Sequence, residues 1–132
     1  MIRVALLALP LLITSCASGE YAERQRQSEA SSLARLIDDR VAGAPQDCLD
    51  SKMTNGFEPV SASTIVYFQG DTLYRNDLIG QCQGLRRDDI LITESTTGRL
   101  CRGDFARTAS RTGGMMTGAC ALGQFVPYRR PR

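Results

Sequence analysis

The stretch Thr64-Ile65-Val66-Tyr67-Phe68-Gln69-Gly70-Asp71-Thr72-Leu73-Tyr74-Arg75 (TIVYFQGDTLYR, residues 64–75) decides the fold class. Thr64 to Phe68 is a run of β-branched and aromatic residues, apolar on both faces. Thr72 to Arg75 resumes the pattern after Gly70-Asp71. Two such runs around a Gly-containing turn predict a β-hairpin. Downstream, Asp89 to Glu94 (DILITE) reads as a strand with Ile90 and Ile92 on one side. Thr96-Thr97-Gly98 marks a turn. Leu100 to Ala109 holds one or two strands, Gly113-Gly114 a loop tip, and Met115 to Val126 a final strand bent at Gly118 and Gly123. Asp77 to Gln83 reads as a short helical turn or loop. Pro127-Tyr128 and the arginine-rich end are expected to leave the fold. Five or six short strands at these spacings predict a small antiparallel sheet or barrel.

Upstream, Leu33, Leu36, Ile37 and Val41 recur on one helical face, with Arg35, Asp38, Asp39 and Arg40 opposite. Gly43 and Pro45 supply a stop. The expected class is therefore α+β and mostly β. The layout is a signal helix over residues 1–15, a tether over 16–28 that continues into helix from about residue 20, the main helix over 29–42, a β-rich part over 45–128 and a basic tail over 129–132.

The N-terminus has the layout of an export signal: Arg3, an apolar run from Val4 to Ile13, then small residues before Cys16. About ten apolar residues are too few for a membrane-spanning helix, which needs roughly 20, but suit a signal-peptide core. Ile13-Thr14-Ser15-Cys16 resembles the bacterial lipobox, which implies lipidation of the Cys16 sulfur and cleavage before it. Cleavage after Ala17 is the alternative. Ala17, not aspartate, follows the cysteine, which by resemblance to lipoprotein sorting favours the periplasmic face of the outer membrane. A soluble periplasmic or secreted form is the other outcome.

The chain has five cysteines. With Cys16 lipidated or removed, Cys48, Cys82, Cys101 and Cys120 remain, an even set in a compartment that permits disulfides. No pair has the C-x-x-C spacing of redox or zinc motifs. Two structural disulfides are expected, and four cysteines allow three pairings. Cys48 and Cys120 lie near the two ends of the β-rich part, and chain ends are usually close in a compact domain. That favours Cys48 with Cys120, and Cys82 with Cys101.

The formal net charge is +2, with 16 basic and 14 acidic side chains. This is no electrostatic footprint for nucleic acid. There is no histidine and no tryptophan. Ser-His and Cys-His pairs, histidine-ligated zinc and histidine acid–base chemistry are thereby excluded. An enzyme would have to use carboxylates, cysteine, Lys52 or tyrosine. No catalytic residue, metal ligand or cofactor is assigned.

The ordered segments DC at 47–48, TLYRNDL at 72–78, CQGL at 82–85, LCRGD at 100–104 and CALGQFVPY at 120–128 resemble a family of small exported proteobacterial proteins, known as a domain of unknown function. The resemblance covers residues 45–128. It implies a four-cysteine pattern and brings no activity, cofactor or partner assignment with it.

Four further features carry candidate chemistry. Arg102-Gly103-Asp104 is the integrin-ligand tripeptide, read here as a bulge between strands. Asp88 and Asp89, with Asp77 and Glu94, supply carboxylates for a hard cation but lack EF-hand spacing. Arg129, Arg130 and Arg132 offer cations to anionic head groups. Gly113-Gly114 is the tip an inhibitor would present. The leading expectation is a non-enzymatic envelope lipoprotein that binds a protein or envelope polymer through its β-rich domain. A carboxylate-dependent hydrolase of envelope material and a small periplasmic inhibitor are the alternatives.

Overall fold

The computed structural model describes residues 17–132. The expected signal helix and Cys16 lie outside the described residues. The predicted hairpin is present. Strand β4 (Thr64–Gln69) pairs antiparallel with β5 (Thr72–Asp77), with Gln69 opposite Thr72 across the Gly70-Asp71 turn.

The described residues contain eleven short strands, not five or six. The others are β1 (Val41–Ala42), β2 (Cys48–Leu49), β3 (Phe57–Pro59), β6 (Ile79–Gln81), β7 (Ile90–Glu94), β8 (Leu100–Cys101), β9 (Phe105–Ala109), β10 (Met116–Ala121) and β11 (Phe125–Arg129). They form a five-stranded sheet in the order β1-β11-β5-β4-β3, a four-stranded sheet in the order β6-β10-β9-β7, and a ribbon of β2 with β8. All pairings are antiparallel, and no sheet closes into a barrel. The extra strands are two or three residues long, too short for alternation to reveal. The segment expected as a turn or loop, Asp77 to Gln83, is instead the end of β5 and β6, with a 3₁₀ turn following at Gln83–Arg87.

The chain crosses from the first sheet to the second at Leu78 and returns at Leu122–Gln124. Side chains between the sheets form the core. Ile65, Tyr67, Tyr74 and Phe125 come from the first sheet, Ala106 and Cys120 from the second, with Leu49, Leu78, Leu85, Leu100 and Leu122 from the ribbon and connections. Each fully buried aliphatic or aromatic side chain contributes about 1.5–3 kcal/mol. Tyr67 packs on Phe125 with ring centroids 5.7 Å apart, and on Phe57 at 5.8 Å.

The Tyr67 hydroxyl is buried without a hydrogen-bond partner, and burial pushes its phenol well above the ordinary value of 10.0. An unpaired buried hydroxyl costs more than it returns. Tyr67→Phe is therefore expected to keep or raise stability at neutral pH, by up to about 1 kcal/mol. Above pH ~10 the unfolded chain ionises this phenol while the folded chain does not, so stability falls with rising pH. The substitution removes that component. Urea unfolding of both proteins at neutral and alkaline pH checks this, and a clear destabilisation at neutral pH would show that the hydroxyl has a partner.

The helix differs from expectation at both ends. Helix α1 is Ala17–Ile37, so it takes in the tether slightly earlier than the expected start near residue 20, and residues 38–42 are not helical. The tether sequence is rich in Ala, Glu, Arg and Gln, all good helix formers. The C-terminus is set by Asp39 in the left-handed conformation, φ 60°. Val41, expected on the helix, pairs instead with Arg129 in β11. Val66 and Leu73 point away from the core yet are only 0% and 5% exposed. A cleft lined by Glu29, Ala30 and Leu33 with Val60, Ser61 and Thr64 places α1 near this outer face. The Arg86–Glu29 ion pair (3.0 Å) and a hydrogen bond from Arg40 Nη1 to the Asp71 carbonyl fasten it.

The disulfide pairing is also corrected. Cys48 joins Cys101, and Cys82 joins Cys120. Cys48 and Cys101 are direct register partners of β2 and β8, with Cα atoms 4.0 Å apart. Cys82 follows β6, whose Gly80 lies opposite Cys120 of β10. Strand register, which spacing along the chain does not encode, overrides proximity of the ends. Finally, Pro127, Tyr128 and Arg129 do not leave the fold but form β11 beside β5. The Pro127 carbonyl accepts from Gly43 N (2.7 Å), and β1 pairs only with Tyr128 and Arg129, so the missing N–H of proline is not required there.

Candidate interaction surface

The two sheets differ in what covers their outer faces. In the four-stranded sheet, Ala106, Thr108 and Cys120 point inward and are buried. Residues directly opposite across a pair share a face. The outward set is therefore read from the register. One row is Ile79–Ala121–Phe105–Glu94, the next Gln81–Ala119–Arg107–Ile92, and the third, beyond a register shift between Met116 and Gly118, Met116–Ala109–Ile90 with Ala109 itself buried. An antiparallel sheet with one solvated face usually alternates apolar-in with polar-out. Here both sets are largely apolar. Ile79 is 55% exposed, Phe105 47%, Ile90 46% and Met116 51%. Met115, beside them at the hairpin tip, is exposed as well.

The charge on this face is one ion pair. Arg107 Nη2 lies 2.8 Å from Glu94 Oε1, diagonally across β9 and β7. Arg107 Nε is covered by its neighbours and has no partner. The relief is also patterned. Ala119 and Ala121 make β10 a shallow trough, flanked by Ile79 on one side and by Phe105 on the other. Contiguous exposed apolar surface of this kind marks an interaction site more often than scattered single residues do.

The residues singled out in the sequence fall elsewhere or are otherwise occupied. Arg102-Gly103-Asp104 is a turn between β8 and β9, not a bulge. Gly103 has φ 87° and donates its N–H to Leu122 O (2.8 Å). The Asp104 carboxylate accepts from Cys101 N (2.8 Å) and so caps its own turn, instead of projecting as an adhesive ligand must. Asp88 is exposed beside Arg111 (3.5 Å), while Asp89 is mostly covered, its Oδ2 accepting no hydrogen bond but lying 3.8 Å from Arg87 Nε. Both line a cleft of ≈ 340 Å³ with Phe57, Ile90 and Arg111. Asp77 is paired with Arg75 (2.8 Å) and Glu94 with Arg107. Asp77 and Glu94 thus do not join Asp88 and Asp89, and no three His, Cys, Asp or Glu side chains converge among the described residues.

Of the tail, Arg129 is in β11 and Arg130 Nε lies 3.4 Å from Asp39 Oδ2, leaving Arg132 at the exposed end. Gly113-Gly114 is a loop tip as expected. It is closed by hydrogen bonds from Ser110 N to Met115 O and from Gly114 N to Ser110 O. Lys52 is exposed in a 3₁₀ turn, Ser51–Met53.

Sequence reasoning missed Ile79, Phe105, Ala119 and Ala121. A signal was present: FARTA alternates with its large and charged side chains in phase, and DILITE places Ile90 and Ile92 together. What was absent was β6, which completes the face.

The described residues define a mainly β, disulfide-bonded fold with a covering helix on one sheet and an apolar outer face on the other that no described element covers. The chain belongs to a family of unknown function, DUF6491, which matches residues 1–129. No curated protein and no solved structure matches it.

Proposed function

We propose that the protein is an exported lipoprotein whose β-rich domain is a non-enzymatic docking module, with the outer face of β6-β10-β9-β7 as its binding surface. The apolar face, covered by no described element, carries this reading. A lone exposed Phe or Ile would need no explanation, but Ile79, Phe105, Ile90 and Met116 exposed together on one face do. Two disulfides favour an oxidising, exported compartment. No described helix is long and apolar enough to cross a membrane. A lipid on Cys16 supplies the attachment in this reading, at the periplasmic side of an outer membrane. Helix α1 begins one residue later. From Gln25 onward it lies against the body, so only its first two turns, about 12 Å at ~1.5 Å per residue, separate anchor from body. The hydrolase alternative stands second because Asp77, Asp88, Glu94 and Asp104 are each engaged by an arginine or a backbone N–H.

Hydroxyl-radical footprinting tests the docking. In dilute purified protein, Met116 and Phe105 should label readily. In the native envelope they should be protected, while Tyr21, 73% exposed on α1, keeps its labelling. Equal labelling of Met116 and Phe105 in both settings would overturn the docking reading. An intact mass of the envelope-extracted protein tests the anchor. It should correspond to Cys16–Arg132 plus acyl chains, and a chain beginning at Ser18 without them would overturn the anchor.

A further inference from the structure

Resting on that reading, we infer that the occupant of this face is a second copy of the same chain, packed sheet against sheet about a two-fold axis. Two observations favour a self-complementary partner over lipid or an unrelated surface, and a third limits its strength. First, the face is electrically balanced: Arg107 and Glu94 sit side by side, so a two-fold can exchange them into reciprocal Arg107–Glu94 pairs between copies. A hydrocarbon surface offers these charges nothing, and burying them there is costly. Second, the relief matches itself. With the axis between β7 and β9 that exchange requires, Phe105 of one copy is set toward the Ala119–Ala121 trough of the other, across sheets ~10 Å apart. Third, the footprint sets the strength. Four strands ~4.8 Å apart and about five residues long cover on the order of 300 Å² in projection. A standard interface buries about 800 Å² per partner. The dimer is therefore weak in free solution and becomes populated when anchored copies share a membrane, where effective concentrations reach the millimolar range.

The test uses the full chain in its own envelope, with a photoreactive residue replacing Ile79 and two differently tagged copies co-expressed. A cross-linked species of twice the monomer mass carrying both tags is expected. Arg107→Glu alone and Glu94→Arg alone should each lower its yield at least tenfold by setting like charges face to face. Co-expression of the two variants should restore it as a mixed species only. That rescue also shows that both variants fold. Cross-linking to a different protein or to lipid would overturn the second-copy assignment while leaving the face a docking site. An absence of any cross-link, together with unprotected Met116 and Phe105, would overturn both. A both-tag species insensitive to the charge variants would overturn the reciprocal-pair geometry and the inference with it.

Discussion

Asn76→Ala should destabilise the protein by about 3–5 kcal/mol, because two buried backbone groups lose their only side-chain partner. Asn76 is fully buried in β5. Its Nδ2 donates to Gly123 O (2.9 Å), and Gly123 N donates to its Oδ1 (2.9 Å). The amide thus satisfies the donor and the acceptor of one residue at once, as a neighbouring strand would. The position matters more than the count. Gly123 lies where the chain returns from the second sheet to the first, alongside the outward crossing at Leu78. Asn76 ties the two crossings together.

Each group left unsatisfied costs about 1–3 kcal/mol, against a total stability of ~5–15 kcal/mol typical of native proteins. Urea unfolding measures the loss, and a change below ~1 kcal/mol would mean that water replaces the amide. Asn76→Asp separates the two bonds. An ionised aspartate still accepts from Gly123 N but sets a second oxygen against Gly123 O. Protonation restores a donor. Burial holds this carboxyl above its unfolded value of ~3.9, so stability should be greatest at low pH and fall as pH rises through the folded value. Gly123→Ala should be as damaging as Asn76→Ala, since any Cβ would overlap the Asp77 carbonyl oxygen.

How much of this was legible follows from what each feature depends on. The β4–β5 hairpin was readable because two runs and a Gly-Asp turn are local. The DILITE strand was readable for the same reason. Helix α1 was half-readable: Leu33, Leu36 and Ile37 gave the face, but its end depends on Val41 gaining a strand partner 88 residues away at Arg129. Asn76 was not readable at all. A polar residue in TLYRNDL looks like an exposed strand end until Gly123 is placed beside it. The interaction face falls between these cases. Its outward residues alternate correctly within β7 and β9. Bringing Ile79, Ala121 and Phe105 into one row, however, requires the register of four strands. The cysteine count announced two bridges, while the pairing needed β2 against β8 and β6 against β10.

That pairing gives the second large effect. Removing either disulfide should cost about 4 kcal/mol from chain entropy, since closing loops of 38 and 53 residues differs by only a few tenths. Loop length therefore does not distinguish the two bridges, but burial does. Cys82 is fully buried and Cys120 nearly so, both in the core between the sheets. Cys48 and Cys101 are half-buried in a ribbon only two residues long. A thiolate reductant must reach a sulfur to attack it. Under native conditions, stepwise reduction followed by alkylation should label Cys48 and Cys101 first, leaving a folded protein of lower melting temperature. Cys82 and Cys120 should label only as the fold is lost.

The double replacement Cys82→Ala with Cys120→Ala should destabilise more than Cys48→Ala with Cys101→Ala, because it also removes two sulfur atoms from a packed core. Losing both bridges removes roughly 8 kcal/mol, enough to unfold a domain of ordinary stability. Peptide mapping of the alkylated cysteines decides the order. Simultaneous labelling of all four at the first reductant step would mean that the ribbon and the core open as one unit. The half-buried bridge would then be as much a part of the cooperative fold as the buried one.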